Sequence, residues 1–156
     1  MKRFKVVSLY FDNKCNLSCP GCYTKNRKLL GRKSHEWFLK LPKYLGKITE
    51  QVAIAGYEPF LFPEFVRKFS KACKDYGVIC NITTNGTLIP KFSDKQLLIM
   101  LRDVTMVSIS YDHWKIRCRD DGMKFQANVK RLNDLGVRVG VNLLIDKEIL
   151  ANIERY

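Results

Sequence analysis

Apolar runs and amphipathic stretches alternate along this chain from one end to the other. Residues 4–11 (FKVVSLYF) are rich in β-branched and aromatic side chains and run into Asp12 and Asn13, which predicts a buried strand closed by a turn. Ser34 can cap a helix over residues 34–45 that turns Trp37, Phe38, Leu41 and Leu45 inward, with Pro42 weakening its last turns and Gly46 ending it. Residues 51–55 (QVAIA) predict a short second strand leading into Gly56, Tyr57, Glu58 and Pro59. Pro63 suits a helix start, and Phe65, Val66, Phe69, Ala72, Cys73 and Tyr76 share one face at helical spacing before Gly77 stops the helix. Cys73 therefore reads as core rather than as a ligand.

The alternation continues. Residues 78–83 predict a third strand ending at Thr84, Asn85 and Gly86, and Ser93 with Gln96 makes a capping box for a helix over 94–101. Residues 104–110 predict a fourth strand, 123–135 a fourth helix closed by Gly136, and 137–145 a fifth strand with the start of a helix behind it. No linker, low-complexity tract or repeat interrupts this order, and 156 residues suit one domain over 1–156 rather than two. Successive β/α units predict an α/β fold with parallel strands, right-handed crossovers and helices outside.

Sheets and barrels of this kind carry ligand chemistry at the carboxyl ends of their strands. The polar residues fall there. Strand one is followed by Cys15, Cys19 and Cys22, strand two by Glu58, strand three by Thr84 and Asn85, and strand four by Ser110, Tyr111 and Asp112, while Asn142 interrupts the apolar strand five. They are expected to converge on one face.

Composition narrows the setting. No run approaches the roughly 20 continuous apolar residues of a membrane span, and the opening segment is strand-like without the layout of a signal peptide, so a cytoplasmic protein with no membrane partner is expected. A chain with 46% hydrophobic residues has core enough to do without disulfides, and its six cysteines read as reduced thiols or metal ligands. The net charge of +13 is concentrated in a stretch opening at Lys25 and closing at Lys47, where eight basic residues face the single acid Glu36. Such a stretch suits nucleic acid, an acidic surface or an anionic small molecule, and equally a solvated face.

Three of the six cysteines lie within eight residues, in the order Cys15-x-x-x-Cys19-x-x-Cys22. Thiolates bind soft metals, and this spacing lets one loop wrap a compact centre. A closed zinc site wants four protein ligands, but the nearest histidine, His35, stands thirteen residues beyond Cys22 across the basic loop. Three ligands leave a position open, as a catalytic centre requires.

CNLSCPGCY after the first strand, GYEP after the second, TNGT after the third and SISYD at the fourth resemble, in this order and over nearly the whole chain, the radical S-adenosylmethionine (radical SAM) superfamily. The resemblance implies that Cys15, Cys19 and Cys22 ligate a 4Fe-4S cluster whose remaining iron is chelated by S-adenosylmethionine, and that an electron donor of flavodoxin or ferredoxin type reduces it. It implies a 5'-deoxyadenosyl radical that abstracts hydrogen from a substrate, and sensitivity to oxygen. It implies that Gly56, Tyr57, Glu58 and Pro59 form the wall beside the methionine, with Glu58 receiving its ammonium. Asn85 and Ser110 match contacts to the ribose or methionine part, and Asn142 stands on strand five as a further contact. The aromatic residue that the family often sets before its third cysteine, against the adenine, has its counterpart after it, in Tyr23. Asp112 and His113 lie where a substrate could be touched, and Cys80 and Cys118 read as buried or incidental thiols.

The chain departs from the family in two respects. Tyr57 replaces the second glycine of Gly-Gly-Glu-Pro, which alters the backbone beside the methionine. The resemblance implies a partial, TIM-like (β/α) barrel, of which about five β/α units are present and the sixth is missing before Tyr156. The fourth and fifth strands resemble the cofactor-biosynthesis and peptide-modifying branches, which favours a peptide, protein or cofactor-precursor substrate, whereas brevity and the CPGCY loop favour a glycyl-radical-enzyme activating protein. The rival from another class is a non-catalytic metal-binding or RNA-binding module. Anaerobically purified protein is expected to be brown with about four irons per chain, where a zinc module would be colourless, and Cys19→Ala is expected to abolish the cluster in iron and sulfide assays.

Overall fold

Period-two alternation gives each strand of this chain two unlike faces, and the fold is built on that difference. A computed structural model describes residues 3–19, 22, 33–111, 122–143, 145 and 147–151. In it β1 (Phe4–Leu9), β2 (Thr49–Ile54), β3 (Ile79–Thr84), β4 (Met106–Ser110) and β5 (Val139–Asn142) form one sheet in that spatial order, with every neighbouring pair parallel. Between and after them run α1 (His35–Phe38), α2 (Pro42–Ile48), α3 (Pro63–Asp75), α4 (Asp94–Leu101), α5 (Gly122–Asp134) and α6 (Lys147–Ala151). This is the expected α/β architecture of a partial barrel.

The register sets an apolar row across the whole sheet: Leu9 beside Ile54, Ile54 beside Ile82, Ile82 beside Val107, and Val107 beside Val139. That row faces the helices. Val52, Ile54, Ile82, Val107 and Ile109 are fully buried with Val66, Phe69, Cys73 and Leu97 from α3 and α4. The opposite face carries mainly small and polar side chains toward the carboxyl ends of the strands, with Ser8 beside Ala53, Ala53 beside Asn81, Thr83 beside Ser108, and Ser110 beside Asn142, and the larger Ile79 and Met106 nearer the amino ends.

Most helix signals act as expected. Pro63 stands at the start of α3, Ser93 and Gln96 form both bonds of a capping box on α4, and Gly77 and Gly136 take positive φ where their helices end. The segment before β2 differs from the expected single helix. Ser34 caps only α1, through a bond from the Trp37 amide, and Pro42 opens a second helix at its first turn instead of weakening the first one. Gly46 lies inside α2 and does not stop it; a Cβ there would stand 2.7 Å from the Tyr76 carbonyl, so glycine serves a close approach. Trp37 and Tyr76, expected inward, are exposed.

α3 packs between α2 and α4 and supplies the aromatic layer beneath the sheet, with Phe65 stacked on Phe69 at 5.4 Å and on Phe11 at 4.0 Å. Phe69→Ala is expected to cost about 3–5 kcal/mol of unfolding free energy. Urea denaturation checks this as a lower midpoint with an unchanged slope, and a loss below about 1 kcal/mol would place Phe69 outside the load of the core.

Candidate functional site

The chain leaves β1 through a tightly anchored turn. Phe11 is buried under α3, and the buried Asp12 accepts hydrogen bonds from the amides of Asn13 (2.7 Å) and Lys14 (3.0 Å) through one oxygen and faces His35 Nε2 at 3.0 Å through the other. The His35 ring in turn lies against Phe11, Phe62 and Phe65. Burial pushes the Asp12 carboxyl up, but hydrogen bonds from His35 and the two amides outweigh it and hold it below the ordinary carboxylate range. The cysteine loop is thus delivered from a fixed point.

Cys15 is exposed, Cys19 buried and Cys22 half-buried, and the Cys22 amide donates to the Cys19 carbonyl at 3.2 Å. Two donors point at the Cys15 sulfur, the Leu17 amide at 3.4 Å and Asn85 Nδ2 at 3.7 Å. Among the described residues no three His, Cys, Asp or Glu side chains gather closely enough to hold a single metal ion.

Glu58 follows β2 and Gly56. It is completely buried, and its carboxylate takes hydrogen bonds from the Phe60 amide (3.0 Å) and Thr84 Oγ1 (2.7 Å) on one oxygen and from the Asn85 amide (2.8 Å) on the other. Its own amide donates to the Lys14 carbonyl at 3.2 Å. One residue therefore joins the cysteine loop, the end of β2 and the end of β3. It is no solvated loop acid: a buried carboxylate is tolerated only with such compensation.

Asn85 closes the network. Its Nδ2 donates to Asn16 Oδ1 (2.9 Å) as well as toward Cys15, and its Oδ1 accepts from the Thr87 amide (2.9 Å) and hydroxyl (2.6 Å). Asn16 Nδ2 returns to Thr87 Oγ1 at 2.8 Å. Both donors and both lone pairs of the Asn85 amide are engaged within the protein. From behind, Asn128 on α5 donates to the Gly86 carbonyl at 3.0 Å, and Arg131 spans the Ile89 and Phe92 carbonyls and Asp94.

The remaining expected residues flank this knot. Gly56 has φ 97°, and a Cβ there would overlap the Tyr10 ring, which meets Tyr57 edge-on at a centroid distance of 6.5 Å. Pro59 is buried at the head of a short 3-10 turn. Ser110 is buried at the end of β4 beside Asn142 on β5, whose side chain is exposed and reaches Thr83 Oγ1 at 3.4 Å. Tyr23, Asp112, His113, Cys118 and basic residues 25–32 lie outside the described residues, while Lys33, Lys40, Lys43 and Lys47 are exposed. Cys80 is buried against Cys73, and the hydrogen bond between them together with burial pushes its thiol well up, as for an inert core thiol. No helix among the described residues is long and apolar enough to cross a membrane.

Comparison with known proteins bears on this site. The family described as the Radical SAM superfamily matches residues 9–154. An uncharacterized protein of Methanocaldococcus jannaschii is 32% identical over 108 residues, 66% of this chain and 33% of that protein. A second protein of the same archaeon, provisionally named a glycyl-radical enzyme activating enzyme, is 24% identical over 84% of this chain and 56% of its own length. The sporulation killing factor maturation protein SkfB of Bacillus subtilis is 28% identical over 90% of this chain and 35% of its own length. The chain thus spans from a third to little over half of these relatives. Among solved structures, Streptococcus suis SuiB bound to S-adenosylmethionine superposes with a TM-score of 0.71 at 17% identity, covering 99% of this chain and 37% of SuiB, and so shares the fold.

Glu58→Gln keeps the size of the side chain but sets an amide donor against groups that themselves donate. It is expected to cost about 2 kcal/mol or more of stability, read from the urea midpoint, whereas Thr84→Val, which removes one donor to Glu58 and the acceptor of the Gly86 amide, is expected to cost about 1–2 kcal/mol. Equal and negligible losses would take Glu58 out of its bridging role.

Proposed function

The chain belongs to the radical S-adenosylmethionine superfamily, and on that footing we propose that it holds a 4Fe-4S cluster on Cys15, Cys19 and Cys22 and cleaves S-adenosylmethionine reductively to act on a polypeptide substrate. The observation that carries this reading is the bridge from the Lys14 carbonyl through Glu58 to the Asn85 amide, which gathers the cysteine loop and the second and third strand ends at one mouth. The donor set fits the group. Three thiols stand on one loop, the sulfur of Cys15 receives two N–H groups as a thiolate ligand would, and a cluster with one thiolate per iron holds its ligands farther apart than a single ion does.

When bound, the cluster and S-adenosylmethionine supply a 5'-deoxyadenosyl radical that abstracts hydrogen from the substrate. The protein's own residues orient and shelter. Gly56, Tyr57 and Pro59 wall the methionine part, and the Gly56 backbone is held to its path by the Tyr10 ring. Glu58 brings the negative charge of that wall. Ser110 and Asn142, paired across β4 and β5, serve the ribose side, and Tyr23 the adenine. The polar inner face of the sheet, from Asn81 and Thr83 to Ser108, borders the space in which the substrate is held.

A polypeptide substrate is favoured by relatives named for maturation of a sporulation killing factor and for activation of a glycyl-radical enzyme, and SuiB has been solved with its precursor peptide SuiA. Activation of a glycyl-radical enzyme is the second reading, supported by the archaeal relative. An electron donor of flavodoxin or ferredoxin type completes the reaction.

Anaerobically reconstituted protein given S-adenosylmethionine and dithionite is expected to release 5'-deoxyadenosine, measured by chromatography, and Cys15/Cys19/Cys22 changed together to Ala is expected to release none. A cluster-loaded protein that leaves S-adenosylmethionine intact would overturn the reading.

A further inference from the structure

The resemblance to the family directs Asn85 toward the nucleoside or methionine, yet its amide has no capacity left for either. Nδ2 divides its two hydrogens between Asn16 Oδ1 at 2.9 Å and Cys15 Sγ at 3.7 Å, and Oδ1 receives the Thr87 amide and hydroxyl. The partners on Oδ1 are donors and the Asn16 oxygen is an acceptor, so the orientation of the amide is determined by the network. The backbone of the same residue is pinned by Glu58 Oε2 at 2.8 Å. A side chain held at both ends, with one N–H left over and aimed at sulfur, is built to act on that sulfur.

We propose that Asn85 is a positioning residue of the cysteine loop, whose amide hydrogen bond to Cys15 Sγ raises the reduction potential of the cluster. This rests on the assignment of the cluster to Cys15, Cys19 and Cys22. Reduction adds negative charge that spreads onto the thiolate sulfurs, and an N–H aimed at one of them stabilises the reduced form more than the oxidised form. The Leu17 amide, at 3.4 Å from the same sulfur, acts in the same sense but belongs to the loop itself. Asn85 directly follows β3, 70 positions away, so the potential depends on the docking of that strand end against the loop.

The test is an EPR-monitored redox titration of the anaerobically reconstituted protein, after iron and sulfide contents have been matched between variants. Asn85→Leu removes the donor, and Asn85→Asp keeps an acceptor for Thr87 while setting a carboxylate against the sulfur. Both are expected to shift the midpoint to lower potential, Asn85→Asp further; at the poise of the unmodified midpoint the oxidised-to-reduced ratio rises roughly five-fold in Asn85→Leu. Thr87→Val removes one of the two donors that orient the Asn85 amide and leaves the Thr87 N–H in place, and is expected to lower the midpoint by less than Asn85→Leu does. An unmoved midpoint in both Asn85 variants, or an equal fall in Thr87→Val, overturns the inference while leaving the cluster assignment intact. Failure of the unmodified protein to take up any cluster overturns the assignment and this inference with it.

Discussion

A carboxylate without any solvent exposure has to be answered by the protein around it, and the answer Glu58 receives determines how the upper end of this sheet is arranged. Its donors come from the turn after β2, from the last residue of β3 and from the first residue beyond it, while its own amide grips the loop after β1. Neither strand-end segment can shift without leaving a buried charge short of a partner, nor the loop after β1 without leaving the Glu58 amide unpaired. The hydrogen bonds are directional, so they fix orientation where apolar packing alone would fix only proximity.

That bridge works because the layer beneath it is rigid. The row from Leu9 to Val139 and the aromatic stack of Phe11, Phe65 and Phe69 hold β1, β2 and β3 against α3, so their ends arrive at set heights. α5 then closes the third strand end from behind, Asn128 taking the Gly86 carbonyl and Arg131 the carbonyls that follow. Packing places the strand ends and polar bonds lock the loops that spring from them.

Alternation at period two and at helical spacing made the β/α order legible from the sequence, along with the faces of the strands and the helix ends at Gly77 and Gly136. What misled was residues with two uses. Pro42 stops one helix and starts another by the same fixed φ, and Gly46 gives room to the Tyr76 carbonyl where glycine more often ends a helix. Cys15, Cys19, Cys22 and Glu58 stand out by spacing and motif. Asp12, Asn128 and Arg131 do not, because their roles depend on partners such as His35 or Gly86 brought near only by folding, and the motifs that contain Asn16 and Thr87 do not tell which bonds either makes.

Counting hydrogen-bond capacity separates kinds of residue that a motif lumps together. Within TNGT, Thr84 serves Glu58, Asn85 ties the loop to the turn, Gly86 turns the chain at φ 76° and Thr87 fixes the Asn85 amide, so the motif is first a joint between two strand ends. A joint of this kind has no slack, since every donor and acceptor of Asn85 is matched. The inner face of the sheet is different: there Asn81 Oδ1, between Ala53 on β2 and Met106 on β4, is buried without a partner among the described residues. A matched rim above a floor with one acceptor to spare lets a scaffold hold its own loops rigidly and still offer a bond to a guest, because rigidity comes from saturated bonds and adaptability from unsaturated ones.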